Sequence, residues 1–193
     1  MPILKLEPQW VLGGEELTEV KTFKLPNGEL GNLATVQFLV KLARKRAKHP
    51  VVRQLALNII RHAGTKSMFY LDEARAIAQF VRDKMAYVKD IANVETVHDP
   101  LTMIDKITRG TLAADCDDHA VLLASLLLSI GHRPIFRIVR YKAGSPSYNH
   151  IYVVEYTKNK GELLNQRLVM DAIMKTKPIG FEVPHVDGRD FPV

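Results

Sequence analysis

The segment AADCDDHAVLLASLLLSIG, residues 113–131, decides the fold and holds the chain's one cysteine, Cys116. Asp115 is a residue type that caps helix N-termini, and Asp117 and Asp118 suit a first turn, where the helix dipole favours acids. Gly131 suits the stop. Between them, residues 120–128 are apolar on nearly every side. A helix without a polar face is a buried one, so the pattern predicts a helix in the middle of its domain with Cys116 in the first turn. A lone thiol there is open to three readings: one more small core residue, one ligand of a metal site, or a nucleophile. Helix N–H groups stabilise a thiolate, and neighbouring aspartates oppose it.

Working outward, the segments RPIFRIVRY, HIYVVEY and QRLVMDA downstream are β-branched and aromatic with alternating polarity, and read as strands. Upstream, apolar residues recur at helical spacing from Leu33 to Ala47, again between Pro50 and Gly64, and through LDEARAIAQFVRDKMAYV, residues 71–88. In the last of these Ala74, Ile77, Ala78, Val81 and Met85 share one side. A linker, KDIANVETVHDP, leads into a short helix around residues 101–107. Helices first and strands last predict an α+β fold: N-terminal helices and a central Cys-bearing helix packed on an antiparallel sheet. Residues 1–32, punctuated by LGGEE, LPNGELGN and three prolines, read as an N-terminal arm. Residues 33–193 read as one domain, with a helical part over 33–64 and a core over 70–193.

The chain of 193 residues is long enough to bury a core without staples, and 47% hydrophobic with 25% charged residues is an ordinary globular balance. One cysteine makes no internal disulfide and excludes an all-thiolate metal site. No leader precedes the first helix and no apolar run spans a bilayer, so the expectation is a chain cytoplasmic when made, without a membrane partner. Much of the net charge of +6 lies in Lys41, Arg44, Lys45, Arg46, Lys48 and Arg53. No aromatic residues alternate with that cluster as stacking platforms, so it reads as a solvated helix face or a protein contact, not a nucleic-acid surface.

Two further residues bear on the thiol. His150 opens one strand and Asp171 stands near the end of the next, with the Gly-containing connection TKNKGELL between them. A turn centred on Lys160 and Gly161 makes the two directly opposed on one face, their Cβ atoms about 5 Å apart. A slip of one residue would place them on opposite faces. In register, the carboxylate orients the imidazole and leaves its other nitrogen for a thiol.

The motifs ADCDD, AVLLASLLLSIG, NHIYVVEY and LVMDA together resemble the transglutaminase-like superfamily, with its papain-type Cys-His-Asp arrangement. The resemblance implies a transglutaminase-like or papain-like cysteine-protease core, with Cys116 as nucleophile, His150 as general base and acid, and Asp171 as the orienting carboxylate. Over nearly the whole chain, YVKDIANVETVHDPLTMI, DCDDHAVLLASLL and the late KPIGFEV look like the transglutaminase-like proteins encoded among phage and prophage structural genes. That implies a virion-associated setting and other phage structural proteins as partners. Ala114 stands where the family has Gly, and Ala172 where it frequently has Pro.

Tyr87 is the candidate for a second oxyanion donor, and Asp118 for support of the site. Asp118 and His119 follow Cys116 closely, but adjacent helix positions point in different directions and do not converge on one ion, so neither metal nor cofactor is expected. His119 reads as a helix residue, and His49, His62, His98, His132 and His185 as surface residues without partners. Ser125 and Ser129 are expected to bond back to helix carbonyls, and Trp10 to anchor the arm. The expected activity is thiol-dependent acyl transfer on a protein or peptide carboxamide, with hydrolysis or cross-linking as outcomes. The competing expectation is a catalytically silent structural or assembly module of a phage particle.

Overall fold

The computed structural model describes residues 28–66, 68–89, 96–110 and 112–193. Trp10 and most of the expected N-terminal arm lie outside the described residues. Among the described residues, five helices and six strands follow in order: α1 (Glu29–Ala47), α2 (Pro50–His62), α3 (Tyr70–Lys84), β1 (Met85–Tyr87), α4 (Pro100–Arg109), β2 (Leu112–Ala114), α5 (Cys116–Ser129), β3 (Ile135–Arg140), β4 (His150–Thr157), β5 (Gln166–Met170) and β6 (Asp187–Pro192). Helices and strands are thus mixed in an α+β protein.

Helix α5 is the axis of the molecule. Asp115 caps it, its carboxylate accepting from the Asp117 and Asp118 N–H groups at 3.0 and 3.1 Å. Gly131 follows its end with φ +95°, a conformation that a side chain would strain. Leu122, Leu123, Leu126 and Leu127 are fully buried. Helices α1, α2, α3 and α4 pack around α5 on one side, and strands β3 and β4 on the other. Each of those leucines contributes about 1.5–3 kcal/mol by leaving water. Ser125 and Ser129 bond back to the carbonyls of Val121 and Leu126, at 2.6 and 2.7 Å.

The main sheet is antiparallel in the order β5-β4-β3-β6. Its inner face, with Phe136, Ile138, Ile151, Val153, Leu168 and Met170, belongs to the core around α5. Its outer face carries a second apolar cluster of Val139, Tyr152, Val154 and Val169, with Tyr141 beside it. Residues 180–186 cross this outer face. Gly180 N–H is given to Val169 on β5 at 2.8 Å, and Val186 N–H to Arg140 on β3 at 2.9 Å.

Two expectations are corrected and one strand is added. First, α1 begins at Glu29, so the arm ends earlier than residue 32. Second, the third helix stops at Lys84. Met85–Tyr87 instead pair in parallel with Leu112–Ala114, because the β-competent Tyr87 and Val88 find a partner strand there. Third, the C-terminal Asp187–Pro192 form an edge strand that proline and glycine had disguised. Proline is tolerated at such an edge. The basic cluster is also partly consumed within the body. Arg46 pairs with Asp99 at 2.6 Å, while Arg53 and Arg44 donate to the Ser129 and Pro192 carbonyls. Among the described residues no helix is long and apolar enough to cross a membrane.

Candidate active site

The parallel β1–β2 pair brings the chain to Asp115, and the cap turns it into α5, which sets Cys116 at the first helical position. The Cys116 N–H has no hydrogen-bond partner among the described residues. Its thiol is half-buried and donates to Asp117 Oδ1 at 3.5 Å. On the other side the Ile151 N–H reaches the sulfur. The β4–β5 ladder stops at the Val153–Met170 pair, and the start of β4 beyond it meets Cys116 in place of a strand partner. Burial pushes the thiol well above its ordinary value, the charges of Asp117 and Asp115 push it further, and the Ile151 N–H alone among these opposes them. The resting group is a neutral thiol.

His150 and Asp171 meet as expected on one face, by a different register. Val153 faces Met170, so the ladder continued by one step sets Tyr152, and not His150, opposite Asp171. The displacement is by two residues. An even displacement keeps both side chains on the same face and makes them diagonal neighbours. His150 Nε2 lies 2.8 Å from Asp171 Oδ2, and both groups are almost wholly buried. The second carboxylate oxygen accepts the Ile173 N–H at 3.3 Å. A proton on Nε2 shared with Asp171 would leave the lone pair on Nδ1, the form a base requires.

Thiol and imidazole approach from opposite sides of the sheet. Cys116 comes from α5 on the inner side, while His150 lies on the outer face opposite Val139. The Ile151 N–H, next along β4 from His150, is the contact that links Cys116 to this strand where β5 has ended. There Asp171 both bonds His150 and lines, with Cys116, Ile151, Met170 and Ala172, a crevice too tight to hold a water molecule. Among the described residues no hydrogen bond joins the thiol to the imidazole.

The sequence did not point to Arg82. It is buried, and from α3 it donates to the Asp171 carbonyl at 2.9 Å and the Lys177 carbonyl at 2.7 Å, fixing the loop that carries the carboxylate. Burial lowers its pKa against the pull of Asp171 and Asp83. A signal was available: Arg82 stands on the apolar stripe of α3, four positions after Ala78. Tyr141 and Tyr152 were also missed. Their rings flank that of His150, at 6.0 Å and 23° for Tyr141 and at 5.6 Å and 40° for Tyr152.

The two weaker candidates separate. Tyr87 faces Ala114 across the parallel pair, two residues before Cys116, and 45% of it is exposed. Asp118 is turned away to the α4 approach. One of its oxygens accepts the His98 N–H at 2.7 Å and the other lies 2.6 Å from His98 Nδ1, so it anchors that segment. His98 is therefore no unpartnered surface residue, and its pKa is raised chiefly by its hydrogen bond to Asp118. His132, also expected at the surface, is buried between Glu155 and Glu73. His49 caps α2 by accepting from Val51, and His185 bonds to Arg137. His119 is buried, with Nδ1 2.6 Å from the Asp115 carbonyl oxygen, and burial lowers its pKa. Ligand atoms of Asp115, Cys116 and Asp117 lie within 4.8 Å of one another, but one oxygen of each aspartate is already engaged, in the cap and by the thiol.

No protein-family model and no curated protein matches this sequence. Among solved structures, the chain is similar to a provisionally assigned cysteine protease from Cytophaga hutchinsonii, with 16% identity and a TM-score of 0.45 over 70% of this chain. The match spans 42% of that protein's length.

Proposed function

We propose that the protein is a thiol acyl-transfer enzyme of the transglutaminase-like, papain-like kind, acting on a peptide or carboxamide. The observation that carries this reading is Asp171, which bonds the His150 ring and lines the same crevice as Cys116. In the proposed reaction the Cys116 sulfur attacks the carbonyl carbon and its proton passes to His150 Nδ1. The Cys116 N–H faces the oxygen that gains charge. As the C–N bond breaks, the leaving amine takes the proton from His150, and a thioester remains on Cys116. Water then releases the acid, or a second amine forms a new amide. Because the resting thiol is neutral, proton transfer accompanies attack and does not precede it.

The test is acylation by p-nitrophenyl acetate, followed by intact mass, in wild type, Cys116→Ala and His150→Asn. A thioester is expected in wild type, none in Cys116→Ala, and a large slowing in His150→Asn. Equal acylation of wild type and His150→Asn would sink the proposal. One set of observations favours a second reading, an assembly module that keeps the fold without catalysis: the thiol's raised pKa and the tight crevice. On that reading Cys116 reacts no faster folded than in the unfolded chain.

A further inference from the structure

The outer face of the sheet carries a network that the proposed chemistry has not used. The imidazole of His150 has two tyrosine rings beside it, near-parallel to Tyr141 just past β3 and tilted against Tyr152 on β4. Both centroids fall within the distance at which an aromatic face attracts a cation. Tyr152 is itself held: its hydroxyl donates to Glu182 Oε1 at 2.6 Å. Glu182 belongs to the segment crossing the face, and Arg167 grips its carboxylate with two hydrogen bonds of 2.7 Å while Arg137 Nε lies 3.3 Å away. These partners hold the Glu182 carboxyl down at about 2, the Arg167 bond being the largest cause, so it stays ionised at any working pH.

We infer that Tyr141 and Tyr152 form an aromatic clamp on His150, anchored through Glu182, which fixes the ring for Cys116 and favours its charged form. The inference rests on His150 being the base. An imidazolium formed as the thiol gives up its proton sits beside two electron-rich rings, and Glu182 strengthens one of them by accepting from the Tyr152 hydroxyl. The charged and titratable groups around His150 are Asp171 after β5 and the two tyrosines, with Glu182, Arg137 and Arg167 behind Tyr152, and Cys116 on α5 acts on Tyr141. Tyr141, Tyr152 and Glu182 are positioning residues: they act through the imidazole.

The experiment follows iodoacetamide alkylation of Cys116 across pH 5–9 in wild type, Tyr141→Leu, Tyr141→Phe, Tyr152→Leu, Glu182→Gln and His150→Asn. Losing a ring destabilises the imidazolium. The neutral-pH plateau is then expected to fall about threefold and the acidic limb to move about half a pH unit lower, for an attraction of the ordinary size. Tyr141→Phe keeps the ring and is expected to match wild type. Glu182→Gln leaves both rings and frees Tyr152, so a shift of the same sign and roughly half the size is expected. It carries the test if a leucine variant fails to fold. A His150-dependent profile that ignores all these changes, or Tyr141→Phe losing as much as Tyr141→Leu, overturns the clamp alone. A wild-type profile matching His150→Asn overturns the base assignment and the clamp with it.

Discussion

Strand β4 carries a buried histidine–carboxylate pair near each end, and the two differ in what the second ring nitrogen meets. At its start, His150 Nε2 bonds Asp171 at 2.8 Å, and no hydrogen bond occupies Nδ1 among the described residues. Towards its end, Glu155 accepts from His132 Nδ1 at 2.9 Å, and the other ring nitrogen lies 3.4 Å from Glu73 on α3. His132 thus has both nitrogens committed to carboxylates. Burial alone would lower its pKa, but the two acids outweigh burial and raise it. The result is a joint of one imidazole and two carboxylates that ties α3 and the end of α5 to the sheet. A buried histidine beside an acid is therefore not yet a base. It needs a nitrogen in reserve and a reacting neighbour, and in the proposed reaction these belong to His150, next to Ile151 whose N–H reaches the Cys116 sulfur.

The largest effect expected from this comparison is at Asp171. Asp171→Asn keeps the shape but favours the wrong tautomer, and acylation of Cys116 is expected to fall by about 10³–10⁴-fold. Stopped-flow release of p-nitrophenolate measures it, and a loss below tenfold would make the two pairs equivalent. Next comes His132→Gln, which leaves Glu73 and Glu155 buried without their imidazole partner. Urea unfolding is expected to show a loss of about 3–5 kcal/mol, with the acylation rate per folded molecule unchanged.

A third prediction concerns pH. His132 has a raised folded pKa, so its contribution is fully present below the unfolded value of about 6.5 and is lost as pH rises through the folded value. The stability gap between wild type and His132→Gln should therefore narrow as pH rises above about 6.5, and a widening gap would reverse the assignment. The smallest effect is at the part-exposed pair of His98 and Asp118. His98→Asn is expected to cost about 1 kcal/mol by thermal denaturation, with the same pH sign, because solvent shares that ring.

What could be read from the amino acids follows from range. Helix α5 was legible because its cap, apolar body and glycine are all local, and it begins and ends where those residues stand. The three sheet strands with clear alternation were legible for the same reason. Strands β1 and β2, of three residues each, exist only because they meet each other, and three residues carry no period. The His150–Asp171 contact was legible only up to an even slip, because the connection between β4 and β5 does not declare its centre. The partners of His98 and His132 were invisible, since Asp118, Glu73 and Glu155 are distant in sequence and look like ordinary surface acids.

The cap at Asp115 has one more consequence. The carboxylate that starts the helix also joins Asp117 and burial in keeping the sulfur protonated, and peroxide attacks thiolates far faster than thiols. Slow oxidation of the sulfur by peroxide is therefore expected, and intact mass after exposure to peroxide measures it.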